Sequence, residues 1–172
     1  MSIKEKAQKR LSAVLTDEVQ AILVHGIEEG IEIYRRLSEE RVEQLGFYAQ
    51  NSQTRDIFSA LCHGLEETIK RARSLTLRFE QRHITSSYFL EIRNANMVIH
   101  VRNENSRMPS YMLNACEQNK GFRSDKPLYC VIAFSGRNGK VVSSVDIVVY
   151  DANGREAYRK ALSLLISNLN AA

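Results

Sequence analysis

The hydrophobic pattern of this chain changes its period near Leu75. Before that point, apolar residues recur every three or four positions, as they do along one face of a helix. After it, apolar and polar residues alternate, as they do in a strand with one buried face. This division predicts an α+β fold, with a helical region at 1–73 and a sheet region at 74–172. No Gly/Ser-rich linker lies between the two regions, so we expect that they can pack as one unit.

Four helices are predicted in the helical region. The first covers Ile3–Leu15, and Thr16 is placed to cap a second helix that runs to about Leu37. Ser38 is placed to cap a third, since acidic residues follow it in what would be the first turn. A fourth helix is expected at Asp56–Arg73.

The sheet region is predicted to hold five strands, mostly antiparallel, in the order β-β-β-α-β-β-α. Short turns such as Asn94–Asn96 join successive strands, which favours antiparallel neighbours. The expected strands are 77–82, 88–93, 97–102, 128–134 and 141–150, with a short helix at 108–118 and an amphipathic terminal helix at 155–169.

Charge is unevenly distributed along the chain. Residues 1–70 hold nine basic and twelve acidic residues, whereas residues 71–172 hold fifteen and eight, which together give the net charge of +4. Nine of the twelve basic residues from Arg71 to Lys140 are arginines, whose planar guanidinium groups match phosphate geometry. The second half is therefore expected either to meet a polyanionic partner or to be an ordinary solvated basic surface.

Alternation places the polar residues of the first three strands on one face of the sheet. This face would combine basic side chains with an aromatic ring, as in proteins that bind single-stranded nucleic acid through phosphate contacts and base stacking. A solvated face with cross-strand Glu–Arg pairs is the alternative. Charge-rich loops after the third strand and before the fourth would extend the basic surface. The predicted nucleic-acid-binding residues are Arg78, Arg82, Phe89, Arg93, His100, Arg102, Arg107, Lys120 and Arg123.

An internal echo occurs in the helical region, where Leu23–Glu29 reads LVHGIEE and Leu61–Glu67 reads LCHGLEE. On a helical wheel Gly26 and Gly64 lie within the apolar faces, so we expect another helix to approach closely there. His25 and the equivalent His63 point away from those faces. A His–Glu metal site is therefore not predicted, because metal ligands in helix bundles project inward.

The order α-β-β-β-α-β between Asp56 and Phe134 resembles the core of restriction-endonuclease-like folds. That resemblance implies a divalent metal held by an acidic residue on the second strand and by an acidic-x-Lys triplet on the third. The second strand offers Glu91, but the third offers His100-Val101-Arg102, with neither a carboxylate nor a lysine. No catalytic residue is predicted, and the chain also lacks GxSxG, P-loop, GxGxxG and HExxH motifs.

The three cysteines are few, odd in number and widely spaced, which predicts buried thiols in a cytoplasmic protein without disulfides. No apolar run reaches the roughly 20 residues of a membrane span, and the first ten residues lack the apolar segment of a secretory signal. We therefore expect no membrane association, no metal and no cofactor.

The expected function is non-enzymatic binding or regulation through the basic second half, acting on nucleic acid or a nucleic-acid-associated complex. Two alternatives stay open. The helical half could mediate protein–protein interaction, inhibition or dimerisation, either through the acidic face around Glu28, Glu29, Glu32 and Glu66 or through its apolar helix faces. The chain could also be a degenerate or active nuclease of the restriction-endonuclease-like kind.

Overall fold

The computed structural model describes residues 1–45, 53–72, 78–84, 87–136 and 142–164. Within 53–55, 78–84 and 87–89 it describes the main chain. Three helices come first: α1 (Ile3–Val14), α2 (Asp17–Leu45) and α3 (Gln53–Arg71). The sheet region follows, and the predicted α+β class is confirmed.

The described sheet has six strands, arranged in the order in which they occur in the chain. Neighbouring strands are antiparallel, with one exception: β3 and β4 are parallel, and their connection carries the fourth α-helix, α4 (Ser110–Cys116), and a 3₁₀ segment (Glu117–Phe122). The strands are β1 (Arg78–Ile84), β2 (Ser87–Arg93), β3 (Met97–Asn103), β4 (Leu128–Ser135), β5 (Ser144–Tyr150) and β6 (Glu156–Ala161).

Helices cover both faces of the sheet. The larger core lies on one face, where α1, α2 and α3 pack against alternate residues of β2 to β5, such as Ile99 and Ile147. On the other face, Met112 and Cys116 of α4 pack against Val131 and Val148. Every residue of β4 is buried, as expected for a central strand covered on both sides.

The separate second and third helices predicted on either side of Ser38 form one continuous helix, α2. Serine in the interior of a helix costs less than about 0.7 kcal/mol relative to alanine, so its capping preference alone does not end one. The second helix was predicted to end near Leu37. An ion pair between Arg41 and Asp56 links the turns of α2 beyond that point to the start of α3.

The terminal helix predicted at 155–169 is wrong over its first part, because Glu156–Ala161 is strand β6. A hairpin joins β5 to β6: the main chain of Asp151 donates to Arg155 at 2.8 Å, and Gly154 has a φ of +78°. Strand β6 completes the ladder of the buried β5, whose main-chain groups a helix could not pair. Residues 165–169 lie outside the described part of the chain.

The predicted close approach at the repeated glycines is confirmed. Helices α2 and α3 are antiparallel, and a Cβ atom at Gly26 would lie 2.9 Å from the Cα of Leu65. A Cβ atom at Gly64 would lie even closer to main-chain atoms of Gly26 and Gly30. The two echoed segments therefore cross at their glycines.

Replacement of Gly30 by alanine is expected to destabilise the protein. The added Cβ would lie 2.7 Å from both the Ala60 carbonyl oxygen and the Leu61 Cα, so main chain must move. Overpacking of this kind typically costs 1–3 kcal/mol, which exceeds the gain of about 1 kcal/mol in helix propensity.

We expect Gly30→Ala to lower the free energy of unfolding by about 2 kcal/mol in urea denaturation followed by circular dichroism. The control is Ser12→Ala at an exposed position of α1, which should change it by less than about 0.5 kcal/mol. A stabilised Gly30→Ala protein would contradict the close main-chain contact.

Candidate nucleic-acid interface

The polar sheet face that the sequence predicts as a nucleic-acid interface is partly covered by α4. His100 is 3% exposed and Glu91 is 6% exposed, and the ring of Tyr111 in α4 lies edge-on to His100 with ring centres 5.4 Å apart. His100 therefore cannot contact a ligand on an open sheet face. The expectation that it binds nucleic acid directly does not agree with this burial.

Instead, His100 is the middle of a buried hydrogen-bond chain across three strands. Its Nδ1 lies 2.9 Å from the Tyr129 hydroxyl, and its Nε2 lies 3.1 Å from a Glu91 carboxylate oxygen. The other carboxylate oxygen of Glu91 accepts from Arg93. Both imidazole nitrogens are engaged, and burial raises the pKa of Tyr129. The chain therefore satisfies polar groups that are buried under α4.

The predicted arginines of β2 and β3 differ in their hydrogen bonds within the protein and in their exposure. Arg102 donates to the Tyr150 hydroxyl at 3.2 Å and to the Ser106 carbonyl at 2.6 Å, which fixes the start of the loop after β3. Arg93 pairs with Glu91, and its side chain is 43% exposed. Arg93 remains accessible to a ligand, whereas Arg102 serves the fold.

The main-chain register places the other predicted platform positions beside these residues. Arg78 is directly opposite Arg93, and Arg82 is directly opposite Phe89. The expected sharing of one sheet face by these four positions therefore agrees with the strand pairing. The side chains of Arg78, Arg82 and Phe89 lie outside the described part.

The structure divides the predicted loop residues between opposite ends of the sheet. Arg107 follows the end of β3, while Lys120 and Arg123 precede the start of β4. Because β3 and β4 are parallel over seven paired positions, these ends are about 20 Å apart. Arg107 is therefore not part of the same local surface as Lys120 and Arg123.

The connection that carries Lys120 and Arg123, which we expected to be a charge-rich loop, is anchored to the sheet. Asn119 is 2% exposed, and its side chain makes three hydrogen bonds to main chain. Its amide nitrogen donates to the carbonyls of Tyr129 and Tyr150 at 2.9 and 2.7 Å, and its oxygen accepts from the Tyr129 N–H at 2.9 Å.

Neighbouring residues hold the same connection in place. Gln118 donates to the Pro127 carbonyl at 2.5 Å, and Phe122 packs against the larger core. Phe122 has a φ of +48°, which a bulky residue adopts only where its surroundings impose it. Arg123 and Asp125 form two hydrogen bonds, which raise the pKa of Arg123 and lower the pKa of Asp125.

Three basic residues of α1, Lys6, Lys9 and Arg10, belong to this surface, and sequence reasoning missed them. Arg10 donates from Nη2 to the Lys126 carbonyl at 2.9 Å, so α1 lies beside the connection. Lys6 is one helical turn before Arg10 on the same side of α1, and Lys9 is exposed next to it. We name Lys6, Lys9, Arg10, Lys120, Arg123 and Lys126 the basic corner.

The basic corner carries a positive net charge. Its six basic residues have three acidic residues near them in sequence, namely Glu5, Glu117 and Asp125, which leaves a net charge of +3. The charge sum over residues 1–70 concealed this surface, because the excess of acidic residues in that half belongs to α2.

Cys62, Cys116 and Cys130 are free and buried, as expected. Burial raises the pKa of Cys62 to about 12, of Cys116 to about 11 and of Cys130 to about 12. A nucleophilic cysteine needs a thiolate near neutral pH, so these thiols are not activated.

The helical hairpin uses its apolar faces within the chain. Leu23, Ile27, Leu61 and Leu65 are completely buried, so these four residues are not available to a second copy, and dimerisation through the helical half stays a prediction. The acidic face around Glu28, Glu29, Glu32 and Glu66 stays a prediction.

The repeated histidines lie outside the helix contact, as expected. His25 is exposed and 3.8 Å from Glu29, and His63 is exposed as well. Across the described ranges, no three His, Cys, Asp or Glu side chains are grouped to hold a metal ion. The nuclease alternative, which rests on strand order, stays a prediction.

Comparisons with protein-family models, with curated proteins and with solved structures find no match to this chain. Within the described residues, no helix combines the length and apolar composition needed to cross a membrane.

Replacement of Asn119 by alanine is expected to lower the free energy of unfolding by about 3 kcal/mol, because it leaves the buried main-chain N–H of Tyr129 without its partner and removes two further hydrogen bonds. Urea denaturation measures the effect. The matched control is Asn114→Ala at an exposed position of α4. Equal stabilities of the two variants would show that Asn119 does not anchor the connection.

The native protein is expected to leave a thiol-specific disulfide reagent unreacted at pH 8, because its thiols are buried and protonated. In urea all three cysteines should react. A Ser12→Cys variant, exposed on α1, serves as the positive control and should react at once. Rapid labelling of Cys62, Cys116 or Cys130 in the native protein would contradict the burial described above.

Proposed function

We propose that this protein binds nucleic acid through the basic corner, without catalysing a reaction on it. The observation that carries the proposal is the hydrogen bond from Arg10 to the Lys126 carbonyl. It joins the basic residues of α1 to those of the anchored connection, although the two segments are distant in sequence.

Available ammonium groups support this proposal. Lys6, Lys9, Lys120 and Lys126 are exposed, and their side chains make no hydrogen bond or ion pair with other described residues. Lysine ammonium groups at a rigid surface attract phosphates and release the counterions condensed on them. Because the connection is anchored, little order has to be gained on binding.

The polar sheet face of the first three strands, which the sequence predicted as the nucleic-acid interface, is less suited to binding nucleic acid. Of its residues on β2 and β3 with described side chains, His100 is buried and Arg102 is bonded to Tyr150 and Ser106. Arg93 is exposed near the same end of the sheet as the start of β4. We therefore place the main contact at the basic corner and treat Arg93 as a neighbouring contact.

The test is fluorescence anisotropy with labelled DNA and RNA over a salt series. We expect the affinity of the unmodified protein to fall steeply as salt rises, with a log–log slope set by the number of phosphate contacts. The double variant Lys9→Glu/Lys126→Glu should lose binding, since it reverses two charges of the basic corner. Arg36→Glu, at an exposed position of α2, is the control and should bind like the unmodified protein.

Two outcomes contradict the proposal. The first is no binding to any nucleic acid at low salt by a folded protein. The second is equal loss of binding in the control and in the Lys9→Glu/Lys126→Glu variant, which would indicate general charge attraction. Loss of binding in Arg93→Glu alone would move the interface from the basic corner to the sheet face.

A further inference from the structure

Resting on the proposed function, we infer that the basic corner binds the phosphate backbone of duplex nucleic acid and does not read base sequence. The inference comes from what each side chain of this surface already does within the fold. Base edges are read by Arg, Asn and Gln side chains through paired hydrogen bonds. Exposed bases are also held by stacking on aromatic rings or guanidinium planes.

The two amide side chains of the connection, Gln118 and Asn119, are already used. Both functional atoms of Asn119 are bonded to the main chain of β4 and β5, and the residue is buried. Gln118 donates to the Pro127 carbonyl. Neither can present a free donor–acceptor pair to adenine without giving up a hydrogen bond that holds the connection in place.

The two guanidinium groups each commit part of their donors within the fold. Arg123 directs its Nε and Nη2 at Asp125, at 2.9 and 2.6 Å, and thereby uses one complete edge of the group. An arginine reads guanine with such a pair of parallel hydrogen bonds. Arg10 donates from Nη2 to the Lys126 carbonyl, so its orientation is set by the fold.

The aromatic ring nearest to these residues in sequence is turned inward. Phe122 lies between Lys120 and Arg123 but packs against the larger core. Its positive φ of 48° directs the main chain so that the ring is partly buried while the neighbouring basic residues remain exposed. Phe122 is therefore not presented for stacking on a base.

The charged side chains of this surface that are not bonded to other described residues end in ammonium ions, on Lys6, Lys9, Lys120 and Lys126. An ammonium is a compact point charge, without the planar pair of donors that distinguishes one base from another. Its attraction grows with phosphate density, and duplex DNA carries one charge per about 1.7 Å of axis. The surface therefore favours duplexes over single strands and distinguishes neither by sequence.

The experiment compares three duplexes of about 20 base pairs, rich in A·T, rich in G·C and mixed, with their separated strands. We expect the duplex dissociation constants to agree within about twofold, whereas base readout separates specific from non-specific sites by a thousandfold or more. Each duplex should bind more tightly than its single strands. Each of Lys120→Gln and Lys126→Gln should reduce the salt slope by about one on every duplex.

A second variant tests the engaged arginine directly. Asp125→Asn removes the carboxylate that occupies Arg123 and is exposed, so the fold should tolerate it. It should tighten binding to all three duplexes and steepen the salt slope by about one, because Arg123 becomes a further phosphate contact. Glu40→Gln removes the same charge from an exposed position of α2 and should leave binding unchanged.

The outcomes separate this inference from the proposed function. Tighter binding to single strands, or a tenfold or larger preference among the duplexes, would overturn the inference while the proposed function stands. Unchanged binding in Asp125→Asn would also overturn it, because Arg123 would then already be available. Absence of binding to every duplex and strand, with or without binding to anionic lipid vesicles, would instead reject the proposed function.

Discussion

The parallel pairing of β3 with β4 determines most of what surrounds it. Antiparallel neighbours can be joined by a tight turn, but a parallel pair needs a connection that returns along the full length of the strands. Here that connection is α4 and the 3₁₀ segment, and it crosses the sheet face opposite the three large helices. It buries His100, separates Arg107 from Lys120 by the length of the strands, and brings its last residues to α1.

A buried hydrogen-bond chain under α4 follows from this arrangement. Once α4 covers the face, Glu91 of β2 and His100 of β3 are removed from water and must find partners within the protein. Glu91, His100 and Tyr129 do so across three strands. Arg93 donates to the second carboxylate oxygen of Glu91. A similar solution occurs nearby, where Arg159 of β6 binds Glu104, Asp146 and Glu156.

Local features of the fold were predictable because local residues determine them. The change of period marked the passage from helices to strands, and the turn at Asn94 is closed by its own side chain, which accepts from the N–H groups of Asn96 and Met97. The glycines that allow α2 to meet α3 lay on the apolar faces of the echoed segments. Each of these signals depends on residues that are close together in the chain.

The remaining features depend on partners far away in sequence. The sequence of β3 does not indicate that its neighbour is parallel. The position of α4 over His100 was therefore not predictable from the alternation of apolar and polar residues. The 156–161 segment has a helical pattern by itself, and the unpaired edge of β5 makes it a strand. The basic corner was missed for the same reason, because the charge of α1 was summed with that of the acidic helix α2.

The bond between Arg10 and Lys126 spans 116 residues, and the bond between Lys160 and Gln20 spans 140. Contacts this distant form late, since the entropy of closing so long a loop is lost before they contribute. Helix α1 packs against both β4 and β6, so its docking requires a largely completed sheet. The basic corner is therefore a property of the finished fold, absent from partly folded chains and from any short peptide cut from this sequence.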